Sequence, residues 1–249
     1  DKIAPTWFVF ENVYGLTKFK NGEENIQNHI ENRFRHIGYT VKSKILYASD
    51  FGVPQRRNRL FIVGNRNGID FEFPKEFDYS VSVDEAISDL PVLENGEIQM
   101  KGEYTVPFEQ ASPYAQFMRQ KSKAPTQNIV SRNKDYVVER YKYIGQGENW
   151  SSIPDHLMGN YADKKRCHSG IYKRLIGSKP SVVISNYRKS MLIHPHQDRG
   201  LSVREAARLQ SFPDDFIFEG PVSYVQQQIG NAVPPLLAKA VMKKILTYK

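Results

Sequence analysis

The stretch that most limits how this chain can fold is Trp7–Phe10, four large apolar residues that run directly into Glu11. A short, uninterrupted apolar run is typical of a strand that is buried on both faces, as in a parallel sheet. Ligands of open α/β sheets bind beyond the carboxyl ends of the strands. Glu11 is therefore expected to face a crevice with apolar walls, where desolvation favours the protonated carboxyl group. The alternative is that Glu11 only caps the following turn.

The composition is that of a globular protein, with 249 residues of which 40% are hydrophobic and 25% charged. No apolar run approaches the roughly 18 residues that a membrane span needs, and the chain has no signal-peptide pattern. The single cysteine, Cys167, excludes an internal disulfide and a multi-cysteine zinc site, and it fits a reducing, cytoplasmic setting. The sequence predicts no metal site, because the pair His194 and His196 lacks a third nearby ligand.

Charge is distributed unevenly around a formal net charge of +8. Residues 72–109 contain ten acidic and two basic residues, whereas residues 164–199 contain nine basic residues and one acidic residue. A segment as basic as the second one predicts a phosphate-binding surface, with an ordinary solvated face as the alternative.

Between two predicted strands, residues 39–48 and 60–64, lies a loop with three arginines in four positions, Arg56, Arg57 and Arg59. Arginine guanidinium groups suit two-point recognition of phosphate or carbonyl oxygens. Exposed arginines in a turn are the alternative interpretation. Upstream, Asn21–Glu24 predicts the start of a helix that ends at Gly38.

The last fifty residues again have a regular pattern. Ser202 and Glu205 form a predicted capping box, as do Ser82 and Glu85 earlier in the chain. Gly230-Asn231 is followed by two prolines and an apolar helix pattern. Backbone N–H groups just before a helix N-terminus would suit an anionic ligand such as a carboxylate.

Four motifs, in this order and spacing, resemble those in the C-terminal two-thirds of DNA cytosine-5 methyltransferases. They are Glu11-Asn12-Val13, Gly52-Val53-Pro54-Gln55-Arg56-Arg57-Asn58-Arg59, Arg204-Glu205-Ala206-Ala207-Arg208-Leu209-Gln210-Ser211-Phe212-Pro213, and Gln228-Ile229-Gly230-Asn231-Ala232-Val233-Pro234-Pro235. The set is far more specific than any single motif. The resemblance covers the start, the first quarter and the last fifth of the chain.

The resemblance implies an α/β fold with two parts. One is a partial S-adenosylmethionine-dependent methyltransferase sheet of Rossmann-like type, and the other is a mixed, largely irregular or β target-recognition domain. The implied boundaries are residues 1–73 for the C-terminal part of the catalytic domain and 74–198 for the recognition domain. Residues 199–249 form a return segment whose final helix packs on the catalytic domain.

By the same resemblance, the activity is methyl transfer from S-adenosylmethionine to C5 of a cytosine flipped out of a specific duplex DNA site, in restriction-modification. Glu11 matches the residue that protonates or hydrogen-bonds ring N3, which favours addition of a cysteine thiolate at C6. Arg59 matches the contact to O2 of the base, and Arg57 orients the site or holds a phosphate.

The resemblance also assigns binding residues. The cofactor pocket is expected to include Asn231, Ala232 and Val233. Double-stranded DNA is the expected partner, and the expected contacts to it are made by Gln55, Arg56, Arg174, Arg188 and Lys189. The helix that begins after Ser202 is expected to brace the recognition domain.

The sequence departs from the family pattern in one respect. The cofactor glycine loop and the Pro-Cys-Gln nucleophile motif are absent from the 249 residues, and Cys167 lacks the Pro-Cys context. We therefore expect this chain alone to be inactive and to bind S-adenosylmethionine weakly or not at all. A truncated chain or an N-terminal partner chain that carries the missing motifs would explain the pattern.

Two other functions remain open from the sequence. A non-catalytic, sequence-specific DNA-binding module is one, although the retained Glu11 and arginine loop argue against simple decay. An RNA methyltransferase on the same scaffold is the other, although the variable region of about 125 residues favours recognition of DNA sites.

Overall fold

The computed structural model describes residues 3–21, 24–159, 169–185, 187, 189 and 191–248. The chain divides into two compact units. Unit 1 comprises Asp1–Gly52, Arg57–Tyr79 and Leu236–Lys249, and unit 2 comprises Val53–Arg56 and Ser80–Pro235. No helix in the described ranges is both long and apolar enough to cross a membrane.

The strands and helices of the described chain are short. The strands are β1 (Trp7–Val13), β2 (Lys20–Asn21), β3 (Glu24–Asn25), β4 (Thr40–Tyr47), β5 (Asn58–Asn65), β6 (Ile98–Lys101) and β7 (Thr126–Ile129). The α-helices are α1 (Ile26–His36), α2 (Val83–Ile87), α3 (Pro113–Arg119), α4 (Asp135–Tyr141), α5 (Val203–Leu209), α6 (Val222–Asn231) and α7 (Pro235–Leu246). Single 3₁₀ turns connect several of them.

Unit 1 is built on a three-stranded sheet with the order β1-β5-β4. Both pairings in this sheet are antiparallel, so the prediction that Trp7–Phe10 belongs to a parallel sheet is wrong for these pairs. The connection from β4 to β5 is only residues 48–57, which is too short for the crossover that parallel neighbours require. The residues of the apolar run are half-buried in the structure, and the strand continues past Glu11 to Val13.

Alternate residues of β1 pack on opposite faces of the sheet, as strand geometry requires. On one face, the ring of Phe8 stacks on Phe34 of α1 with centroids 4.0 Å apart. On the other face, the ring centroid of Trp7 lies 5.9 Å from the ring centroids of both Phe71 and Tyr248. Tyr248 follows α7, so the C-terminal end of that helix packs in unit 1.

Helix α1 begins later than the sequence pattern predicts. Asn25, not Asn21, is its N-cap, and the Asn25 side chain accepts a hydrogen bond from Gln27 N at 2.8 Å. The short β2–β3 pair occupies residues that the pattern had assigned to the first turn. The helix ends as predicted near Gly38, whose φ of 90° lies in the left-handed region that favours glycine.

Unit 2 contains both predicted capping boxes, and both are confirmed. Ser82 and Glu85 cap α2, and Ser202 and Glu205 cap α5. Every residue of α5 is buried, so this helix forms the centre of the unit.

The charge of Arg208 in α5 is neutralised within unit 2. Arg208 is fully buried and its guanidinium donates to both carboxylate oxygens of Asp214 at 2.6 Å and to Asp89 at 3.0 Å. The cap residue Glu205 accepts two hydrogen bonds from Arg199, at 2.9 and 2.7 Å.

Candidate active site

Glu11 and Arg59 meet on one face of the unit 1 sheet. In the β1–β5 register, Val13 lies opposite Arg59 and Glu11 lies opposite Phe61, so Glu11 is the diagonal neighbour of Arg59 on the same face. Arg59 Nε lies 2.7 Å from Glu11 Oε1. The family resemblance implies that Glu11 and Arg59 act on the same base, and the structure brings these two side chains together.

Arg57 lies two residues before Arg59 and is 1% exposed. Its backbone carbonyl accepts a hydrogen bond from Ala48 N at 2.7 Å, which fixes the chain just before β5 begins. The Arg57 charge acts on Glu11 as well as on Arg59. Two guanidinium groups and one carboxyl group therefore share a partly buried environment.

The electrostatics of this cluster disfavour charge. Burial raises the pKa of Glu11 above its ordinary value of 4.5, and the nearby Arg59 and Arg57 offset that rise only in part. Burial, together with the neighbouring Arg59, lowers the pKa of Arg57 to about 10. The pKa of Arg59 is also lowered by burial, against the attraction of Glu11. A carboxyl group that keeps its proton more readily, beside arginine donors, can donate to a ring nitrogen while the arginine binds a carbonyl oxygen.

Gln55 and Arg56 have different surroundings, although they are adjacent. Arg56 is exposed, as a DNA contact requires. Gln55 is 0% exposed, and its side chain hydrogen-bonds Ile184 N at 3.0 Å and Leu209 O at 3.2 Å. The structure therefore gives Gln55 a position inside unit 2 rather than on a DNA-binding surface.

Arg174 is also buried, with 6% of its surface exposed. All five of its N–H donors are engaged, by the backbone carbonyls of four residues and by the Asp198 carboxylate. The carbonyls belong to Tyr141, Ile144, His194 and Gln197. We therefore correct the prediction for Arg174, since a guanidinium bonded in this way has no donor left for a phosphate. Lys189 is exposed, and Arg188 lies outside the described residues, as does Cys167.

The segment Asn231–Val233 joins α6 to α7. Gly230 and Asn231 form the last turn of α6, and Ala232 N donates to Gln228 O at 3.1 Å. Pro234 and Pro235, at the start of α7, have no N–H group. The prediction that backbone N–H groups at this position bind an anionic ligand is therefore corrected. What the segment presents is the exposed Asn231 amide beside the half-buried Ala232 and Val233.

The side chains of His194 and His196 contact different carboxylates rather than a shared position for a metal ion. His194 is buried, with Nε2 3.7 Å from Glu205 Oε1, and burial lowers its pKa to about 4. His196 Nε2 lies 2.8 Å from Asp84 Oδ1 at the surface. Within the described ranges, no group of three or more His, Cys, Asp or Glu side chains could hold a metal ion.

One residue that sequence reasoning missed is Gln210. It is fully buried, and its Nε2 donates to Ile229 O at 2.9 Å and Ala232 O at 2.8 Å. The signal available in the sequence was its place in the third motif, directly after the helix that had been assigned a bracing role.

Comparisons with known proteins agree with the motif analysis. The model of the C-5 cytosine-specific DNA methylase family matches residues 1–247. The chain is 34% identical over 244 residues to Type II methyltransferase M1.HphI of Haemophilus parahaemolyticus, covering 97% of this chain and 57% of that protein. It is 33% identical over 268 residues to M.DdeI of Desulfomicrobium norvegicum, covering 99% of this chain and 64% of that protein. The chain thus spans less than two thirds of the length of either relative.

Solved structures show the same fold. A prophage-encoded DNA modification protein of E. coli matches with a TM-score of 0.72 at 24% identity, over 98% of this chain and 69% of that chain. Entamoeba histolytica methyltransferase EhMeth matches with a TM-score of 0.55 at 12% identity, over 98% of this chain and 63% of that chain. The mixed α/β architecture is therefore that of methyltransferases, and the family match identifies the chain as a member of the C-5 cytosine-specific DNA methylase family.

Proposed function

We propose that this chain supplies the base-recognition half of a restriction-modification enzyme that methylates C5 of cytosine in a specific duplex DNA site. The observation that carries the proposal is the Glu11–Arg59 pair, with 2.7 Å between Arg59 Nε and Glu11 Oε1. Burial has raised the pKa of Glu11, which suits a group that must deliver a proton.

In this proposal Glu11 holds a proton at N3 of the flipped cytosine. The base becomes electron-poor at C6, where a thiolate adds, and C5 gains the electron density that it needs to accept a methyl group. Arg59 binds O2 of the base and stabilises the charge that develops there. Arg57, with its carbonyl bonded to Ala48 N, orients the arginine loop.

S-adenosylmethionine supplies the methyl group when it is bound. The segment Asn231–Val233 fits one edge of such a molecule, because an exposed amide lies beside two half-buried small apolar side chains. It offers no charged group from its own three residues, so the remaining contacts come from elsewhere. We propose that Asn231 hydrogen-bonds the cofactor and that Ala232 and Val233 pack against it.

The nucleophilic cysteine and the cofactor glycine loop are proposed to come from outside these 249 residues, on the same chain or on a partner chain. The absence of both motifs from the sequence supports this proposal, as does the greater length of the relatives. The proposed division of labour is catalysis by residues 1–73, target recognition by 74–198, and a return segment over 199–249. Within unit 2, the exposed Arg56 and Lys189 are the proposed phosphate contacts.

Methylation mapping tests the proposal. The complete product of the natural gene and its Glu11→Gln variant are produced in a methylation-free host, and the genomic DNA is sequenced after bisulfite treatment. We expect 5-methylcytosine at one sequence context with the unaltered protein and a loss of at least about 100-fold with the variant. Full methylation by Glu11→Gln would refute the role of Glu11. Methylation of duplex DNA by the isolated 249-residue chain, with labelled S-adenosylmethionine, would refute the external nucleophile.

A further inference from the structure

Two buried glutamines of unit 2 are bonded to each other in series. Gln55 and Gln210 are both 0% exposed. Gln55 Nε2 donates to Gln210 Oε1, while Gln55 Oε1 accepts from Ile184 N at 3.0 Å. Gln210 Nε2 then donates to Ile229 O and Ala232 O, at 2.9 and 2.8 Å. The two side chains form a continuous amide ladder from the 181–185 segment to the end of α6.

Each end of the ladder is tied to a segment with a proposed binding role. At one end, Arg56 N donates to Ser181 O at 2.8 Å and Ser181 N donates to Pro54 O at 2.9 Å. These bonds hold the turn that displays the exposed Arg56 side chain. At the other end, the acceptor Ala232 O lies within the proposed cofactor segment Asn231–Val233.

A close backbone approach supports the same arrangement. A Cβ atom at Gly230 would overlap with the carbonyl oxygen of Ser185, so only glycine lets α6 pack this closely against the 181–185 segment. The 181–185 segment therefore lies between the Arg56 turn and the end of α6, with the amide ladder beside it. Buried polar networks with satisfied partners rigidify the elements that they join.

We propose that Gln55 and Gln210 are positioning residues that hold the Arg56 turn and the segment Asn231–Val233 as one cooperative cluster. Neither side chain touches a ligand, because both are fully buried. Loss of the Gln210 side chain removes one of the two acceptors of Gln55 Nε2 and leaves it only the Leu209 carbonyl, so a change at one end of the ladder is felt at the other. The proposal goes beyond the proposed function, although its DNA-binding readout rests on it.

Hydrogen exchange of backbone amides tests the ladder without any ligand. The variants are Gln55→Leu, Gln210→Leu and the double variant, and Gln127→Leu is the matched control. Gln127 is also a buried glutamine of unit 2, but both of its amide contacts are to the backbone of Phe218. We expect Gln210→Leu to speed exchange about tenfold both at Ala232 and at Ile184, the partner of Gln55 at the far end. The double variant should add little to either single variant.

A merely local role would give a different pattern. If Gln210→Leu speeds exchange only around residues 229–232 and leaves Ile184 as in the Gln127→Leu control, the proposal is wrong. Equal acceleration throughout unit 2 in Gln210→Leu and Gln127→Leu would also refute it. A variant that fails to fold is replaced by Gln210→Glu, whose protonated form recovers one donor. The exchange at Ile184, corrected for intrinsic rate, should then slow on acidification.

Binding of duplex DNA gives the second readout. Fluorescence anisotropy with a labelled duplex compares Arg56→Ala, Gln210→Leu and the combination of both. We expect Gln210→Leu to weaken binding about as much as Arg56→Ala, and the combination to weaken it no further. If Arg56→Ala leaves the affinity for DNA unchanged, the proposed contact of Arg56 with DNA is refuted. The hydrogen-exchange data alone then test the positioning role of Gln55 and Gln210. If Arg56→Ala weakens binding and Gln210→Leu does not, the positioning role is refuted.

Discussion

Two buried arginines, Arg208 of unit 2 and Arg57 of unit 1, differ in how their charge is balanced. In unit 2, all five N–H donors of Arg208 are engaged by Asp89, Asp214 and the Ala86 carbonyl. The pKa of Arg208 is raised by those carboxylates, so its charged form is stabilised. In unit 1, burial lowers the pKa of Arg57 to about 10, and burial also lowers the pKa of Arg59.

Two carboxyl groups, Glu205 of unit 2 and Glu11 of unit 1, show a similar contrast. Glu205 in unit 2 is buried, yet Arg199 and the Ser202 backbone lower its pKa to about 2. Glu11 in unit 1 has a raised pKa, although Arg59 is in contact with it. Burial alone therefore does not mark a functional site. Glu11 differs from Glu205 in that its partners do not fully offset the effect of burial, which is a condition that suits acid–base chemistry.

The largest change in stability is expected from the buried network of Arg208, Asp89 and Asp214 in unit 2. Arg208→Leu leaves the buried Asp214 carboxylate without its cation and leaves Asp89 with only the longer contact to Arg119, at 3.4 Å. This change should destabilise the protein by about 3–5 kcal/mol. Guanidinium chloride unfolding measures the change, and Lys142→Gln, which breaks an exposed pair with Glu139, is the control with less than about 1 kcal/mol expected. If Arg208→Leu does not fold, Arg208→Lys gives a smaller loss of the same sign. A change no larger than that of the control would show that the network is not stabilised as described.

The next effect is steric. Gly230→Ala forces a methyl group against the Ser185 carbonyl, and should cost about 1–3 kcal/mol. Gly159→Ala is the control, because a Cβ atom there meets no heavy atom of the described residues within 4 Å. Thermal unfolding measures the melting temperature of both variants. An unchanged melting temperature for Gly230→Ala would contradict the close packing of α6 on the 181–185 segment.

A third prediction concerns the unit 1 pair directly. Arg59→Gln removes the cation nearest to Glu11, so the pKa of Glu11 should rise further above its ordinary value. Carbon-13 NMR titration of the Glu11 carboxyl group measures the change. Arg56→Gln is the matched control in the same loop, with no expected change at Glu11. A fall in the pKa of Glu11 on replacing Arg59 would mean that Arg59 does not stabilise the carboxylate.

The smallest effect is a pH dependence of stability. Because the folded-state pKa of Glu11 is raised, ionised Glu11 opposes folding, and the stability that the protonated group contributes is lost as pH rises through that pKa. Glu11→Gln cannot ionise, so its stability relative to the unaltered protein should increase as the pH rises above the ordinary glutamate value of 4.5. Urea unfolding at several pH values measures the difference. A relative stability that falls with pH would reverse the sign assigned to Glu11.

Local patterns predicted the parts of the fold that depend on nearby residues. The capping boxes at Ser82 and Ser202 need only four consecutive residues, and both were found. The proximity of Glu11 and Arg59 was implied by the family resemblance, since both residues match groups that contact one base. The start of α1 was missed because the β2–β3 pair competes for the same residues.

Positions that depend on distant partners could not be predicted. Arg174 stands in a basic segment, and nothing near it in sequence shows that carbonyls of Tyr141 and Ile144 surround its guanidinium. Gln55 stands between strands in a basic loop, yet its partners Leu209 and Gln210 lie more than 150 positions away. In both cases a long polar side chain is buried by contacts that no local pattern encodes.

The most direct test is a carbon-13 NMR titration that follows the carboxyl groups of Glu11 and Glu205 in one sample. The account predicts a midpoint above the ordinary value of 4.5 for Glu11 and a midpoint near 2 for Glu205. A midpoint for Glu11 at or below 4.5 would contradict the claim that unit 1 keeps this carboxyl group ready to deliver a proton.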